Sequence, residues 1–155
     1  ANLSFRLAAG VKAVALRDQA HDAIERIKQI QKRLSAVEAA NSVLAANPND
    51  PEANLTVGRF DCFMKQAWQA GLPHLAKSSD QRLRRLAERE ATPPLGPDGL
   101  SLADAWWDLA AERDDPKNEL EIKAMRIRAA YWYRQAISYL SGISQEKARR
   151  RMAGL

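Results

Sequence analysis

A chain of 155 residues is long enough for one ordinary hydrophobic core and short for two. With 46% apolar and 28% charged residues of mixed sign, the composition excludes a disordered polar chain. No run approaches the roughly 18 consecutive apolar residues of a membrane span.

The formal charge of +5 is modest and dispersed: Arg82, Arg84 and Arg85 in one place, Lys147, Arg149, Arg150 and Arg151 in another, with acids nearby in most segments. A nucleic-acid binder usually gathers its basic residues on one face, so the excess counts only weakly for one. One cysteine, Cys62, excludes an internal disulfide framework and reads as a small buried apolar residue. Ala, Leu, Arg, Glu and Gln dominate, which leans all-α. The chain opens on Ala1 without a signal-peptide pattern, so it reads as an excised, C-terminal part of something longer.

Residues 1–46 read as one long amphipathic helix, two to three times the usual length. Ala20, Ile24, Ile27, Gln31, Leu34, Val37, Asn41 and Leu44 recur at threes and fours, and Arg17, Asp18, Asp22, Glu25, Arg26, Lys28, Lys32 and Arg33 take the other faces. Gly10 and Ser35 are the places where a break is expected. The narrow stripe suits packing along its own domain or upstream helices, or a coiled coil with another chain.

Asn47-Pro48-Asn49-Asp50-Pro51 is the first firm punctuation, with Asp50 placed as an N-cap and Pro51 at the first helical position. The next helix carries Gly58, Phe60, Phe63 and Met64; another carries Trp68, Gly71, Leu72 and Leu75, with Pro73 predicting a kink or a late start. Ser78 and Ser79 are expected to cap a helix over 80–91 that buries Leu83, Leu86 and Ala87. The segment 92–99 is a loop by composition. Ser101 with Asp104 suggests a capping box for a helix to about 113, and Asp115-Pro116 opens a long helix to about 141. Gly142 ends it, and Ser144 caps a last helix to 152.

Two stretches, 47–78 and 101–141, each pair a helix holding a small residue with a second such helix flanked by rings. This resembles the tetratricopeptide repeat, a helix–turn–helix unit of about 34 residues. The resemblance implies that Gly58 or Ala103 takes the small position of the first helix and Gly71 or Ala129 that of the second. Trp106 then matches the first-helix aromatic, and Tyr133 and Ala136 the later aromatic and small positions; Trp68 and Leu75 complete the packing of the first unit. Departures are a turn in the second unit lengthened by about ten residues relative to that unit length, no closing proline at Ser141-Gly142, and the helix over 80–91 between the units. The strings at 47–60, 71–80 and 104–110 also look like a helical segment that recurs in large planctomycete-type bacterial proteins. There it follows a helical array, and it carries no assigned activity.

The implied architecture is a right-handed helix-hairpin solenoid fragment spanning 47–155 behind a long N-terminal helix. No catalytic, cofactor or metal constellation stands out. His21 and Glu25 share the spacing of a metal pair, but two histidines and one cysteine cannot close a zinc site on their own. His74 reads as a rim or core histidine, and Asp104 and Asp108, four apart, as an exposed or arginine-paired couple. The aromatics cannot all enter one two-helix interface, so Trp107 and Tyr131 are candidates for an interaction surface. The expected role is non-enzymatic scaffolding with a protein or peptide partner. The alternatives are nucleic-acid or anionic-surface binding through the arginine-rich helices, and coiled-coil oligomerisation through residues 17–46.

Overall fold

Helices start and stop here largely where aspartate, proline and glycine interrupt the apolar periodicity. The computed structural model describes residues 2–92, 94, 96–113 and 118–154, with side chains from residue 14 onward except residue 15. Those residues are all-helical: α1 Asn2–Ala46, α2 Pro51–Arg59, α3 Trp68–Leu75, α4 Gln81–Ala91, α5 Gly99–Glu112, α6 Glu119–Ala136 and α7 Gly142–Ala153.

α1 runs unbroken through both Gly10 and Ser35. A single glycine costs a helix interior only about 1 kcal/mol, and serine less, so neither stops it alone. The chain divides into two compact units, Ala1–Glu38 and Ala39–Leu155, so the division falls inside α1 and ahead of the turn at 47. In the first unit Ile24, Ile27 and Leu34 of the predicted stripe are exposed.

In the second unit Pro51 is the first residue of α2, and Asp50 Oδ1 accepts from the Ala53 amide at 2.9 Å, as the punctuation predicts. The helix widens into a π turn over Phe60–Met64, where the Lys65 amide donates to Phe60 O at 3.1 Å. Gln66 then takes a left-handed conformation (φ 55°), which reverses the chain into α3. Pro73 sits inside the eight-residue α3, well after its start at Trp68, so the expected late start is not found and the proline leaves that helix one backbone N–H short.

Three capping assignments are corrected. α4 is capped by Asp80, whose Oδ1 accepts from the Arg82 and Leu83 amides, while the Ser78 hydroxyl donates back to Leu75 O. Carboxylate outcompetes hydroxyl because two amides reach one charged oxygen. Ser101 forms no capping box with Asp104: it lies within α5 and donates to Asp98 O, and Asp104 is drawn away by cations. Ser144 does not cap α7, because Gly142 (φ 57°) already opens that helix after Ser141. α6 also ends sooner than expected, passing into a 3-10 turn over Ile137–Tyr139. The Asp115-Pro116 start lies outside the described residues.

α2 packs along α3 and α5 along α6; α4 lies against α3 and α5, α6 also meets the π turn, and α7 meets α6. The core runs from Phe63 through Trp68 to Trp106, whose rings meet edge-to-face with centroids 5.9 and 5.4 Å apart. The two glycines allow close approach. A Cβ on Gly58 would stand 2.9 Å from the Leu75 backbone nitrogen, and one on Gly71 would stand 2.9 Å from that of Cys62.

Candidate interaction surface

Several charges are carried into the helix contacts, and they decide which surface remains open. Glu90 continues the stripe Leu83, Leu86, Ala87 of α4 and is only 4% exposed. It accepts from Trp106 Nε1 at 2.8 Å and forms an ion pair with Arg128. The Arg128 guanidinium lies 4.8 Å from the Trp68 ring, 4.7 Å from Tyr131 and 5.8 Å from Trp132. Weak hydration of guanidinium suits it to this aromatic setting. Arg59 forks onto Glu121 at 2.7 and 2.8 Å, tying α2 to α6.

A second network joins α5, α6 and α7. The Tyr133 hydroxyl donates to Asp104 Oδ1 at 2.5 Å and accepts from Arg151 Nη1 at 2.6 Å. Asp104 also takes Lys147 at 2.6 Å, and Arg151 reaches Asp108 at 3.1 Å. Burial, then the bond to Asp104, push the Tyr133 hydroxyl above its ordinary pKa. Asp104 and Asp108 are thus arginine-paired, one of the two arrangements expected of them.

Of the residues singled out from sequence, Gly58, Gly71, Trp68, Leu75, Ala103, Trp106, Ala129, Tyr133 and Ala136 are all buried. Trp107 is partly exposed, with the Arg126 and Arg151 guanidinium groups 5.6 and 5.2 Å from its ring. Tyr131 is 42% exposed and contacts Arg128 and Trp132. Arg126, which contacts Trp107, and Arg128, which contacts Tyr131, stand about 160° apart around α6.

Sequence reasoning missed Glu90 and Arg128. The signal was a carboxylate completing an apolar stripe in α4, and an arginine three residues past buried Met125 and four before buried Trp132. It also missed buried Asn54, whose amide donates to Pro48 O and Asp50 O while its Oδ1 meets His74 Nδ1 at 2.8 Å. His74 is therefore a partly buried histidine serving the α2–α3 contact.

Among the described residues, no group of three His, Cys, Asp or Glu is arranged to hold a metal ion. The Cys62 thiol is buried and pushed up to about 12, chiefly by loss of solvation and then by Glu90, which disfavours a nucleophilic thiolate. Among the described residues, no helix is long and apolar enough to cross a membrane. Compared with protein-family models, curated proteins and solved structures, the chain matches none of them.

Proposed function

We propose that the second unit is a degenerate tetratricopeptide-like module, of the kind resembling segments of large planctomycete-type bacterial proteins, and that it serves as a non-enzymatic scaffold for a protein or peptide partner. Two helix pairs, α2–α3 and α5–α6, support the kinship, with small residues buried along both: Gly58 and Gly71 in one, Ala103, Ala129 and Ala136 in the other. The observation that carries the interaction role is Trp107. Trp68, Trp106 and Trp132 are buried, and Trp107 alone of the four stays partly open, between two guanidinium groups. A rigid amphipathic ring with flanking cations is a common anchor at protein interfaces.

Several basic residues are taken up internally, which favours this reading over nucleic-acid binding: Arg59, Arg113, Arg128, Lys147 and Arg151 each pair with an acid of the same chain. The test compares proteins retained by the immobilised full chain with those retained by Trp107→Ala, after matching unfolding curves establish that both are folded. Loss of specific partners from the variant supports the proposal. Retention of the same set by the variant, or salt-sensitive binding of oligonucleotides instead of protein, overturns it.

A further inference from the structure

The geometry points to a second role, in the first unit: self-association of this chain as a parallel, in-register coiled coil. Leu16, Ile27, Ile30 and Leu34 are exposed by 57, 54, 57 and 43% on one continuous helix, and Ala20 and Ala23 complete their spacing. The steps from Leu16 to Leu34 are 4, 3, 4, 3 and 4, a strict repeat of 3.5 residues. That differs from the stripe through Ile24 and Gln31, and it is the period that winds helices into a left-handed supercoil. The sequence carries it on through Val37, Asn41 and Leu44. Long helices draw most of their stability from packing an apolar face, so this stripe calls for a partner.

Charge identifies the partner as a further copy. With Ala20, Ile27 and Leu34 as a positions, and Leu16, Ala23 and Ile30 as d positions, the g residues are Gln19, Arg26 and Arg33. The facing e residues are Ile24, Gln31 and Glu38. In parallel pairing Gln19 faces Ile24, Arg26 faces Gln31 and Arg33 faces Glu38, so no like charges meet and one pair is complementary. Full antiparallel overlap would instead bring Arg26 near its own counterpart. Asp18, Glu25, Lys28 and Lys32 occupy the outward b and f positions.

The test is sedimentation of the full chain over a range of concentrations, with Ile30→Lys on the seam and Gln29→Lys on the outer face. We expect a mass of two or more chains for the wild type and for Gln29→Lys. Ile30→Lys should sediment as a monomer while its tryptophan near-ultraviolet signal is unchanged. Oxidised Ala20→Cys should form a covalent dimer, since equivalent a positions face each other only in parallel register. A wild-type monomer at every concentration, association that survives Ile30→Lys, or no cross-link from an associated Ala20→Cys overturns the proposal.

Discussion

Gly71→Ala sets two opposing effects against each other in one methyl group. Alanine is the better helix former by about 1 kcal/mol, and position 71 lies inside α3. Its Cβ would stand 2.4 Å from Cys62 Sγ, 2.9 Å from Cys62 N and 3.1 Å from Asp61 Cβ, all inside the 3.4 Å at which ordinary contact begins. The sulfur belongs to a fully buried side chain and the nitrogen to the π turn, so neither swings aside. Overpacking of this kind costs about 1–3 kcal/mol, and backbone contact places it toward the upper end. We expect a net loss of about 1–2 kcal/mol, read from urea unfolding by tryptophan fluorescence. Adding Cys62→Ala removes the sulfur contact and leaves the nitrogen. The double variant should therefore lose less than the sum of the single losses, by about 1 kcal/mol. Gly99→Ala is the control: its nearest neighbour, Ala136 Cβ, is 3.4 Å away, and its effect should stay within about 0.5 kcal/mol. If Gly71→Ala is stabilised as propensity alone demands, the close approach of α3 to the π turn is refuted.

Three further outcomes follow from the buried charges and caps. Glu90→Leu leaves the Arg128 guanidinium without its carboxylate and should cost about 3 kcal/mol, whereas pairing it with Arg128→Met should restore part of that loss; a single-variant loss below about 1 kcal/mol in urea unfolding contradicts a buried pair. Cys62 should resist a thiol reagent at about pH 8 until the protein is unfolded, because burial disfavours its thiolate; rapid labelling of the native chain counts against it. For Asp80, burial opposes ionisation, but the Leu83 amide, Arg113 and the Arg82 amide outweigh it and hold the folded pKa below the ordinary 3.8. A lowered folded pKa contributes stability that is present above the unfolded value and is lost as pH falls through the folded one. Asp80→Ala should therefore be about 1 kcal/mol less stable than wild type at neutral pH. That gap should narrow as the pH is taken below the ordinary 3.8 and through the lowered folded value, as followed by unfolding curves at each pH.

The helical class, the α2 cap and the buried small residues were legible in the sequence because each depends on a few neighbouring positions. Asp50-Pro51 satisfies or removes the amides of its own helix end, and the threes and fours of Leu83, Leu86 and Ala87 mark one face whatever lies opposite. Ser78, Ser101 and Ser144 misled for the complementary reason. A hydroxyl caps only when no stronger local acceptor, cation or glycine start intervenes, and Asp80, Lys147 and Gly142 intervene here.

Which aromatic stays open was decided only by tertiary structure. Trp106 and Trp107 are adjacent and chemically identical, yet one is buried against Trp68 and Glu90 while the other lies partly in solvent between Arg126 and Arg151. Likewise Glu90 completes an apolar stripe in the sequence, but the partner of its charge, Arg128, comes thirty-eight residues later and meets it only on folding. Local order follows from backbone hydrogen bonds and side-chain period, which one segment carries by itself. The environment of a charge or a ring depends on what distant helices bring to it, and that is settled when they pack.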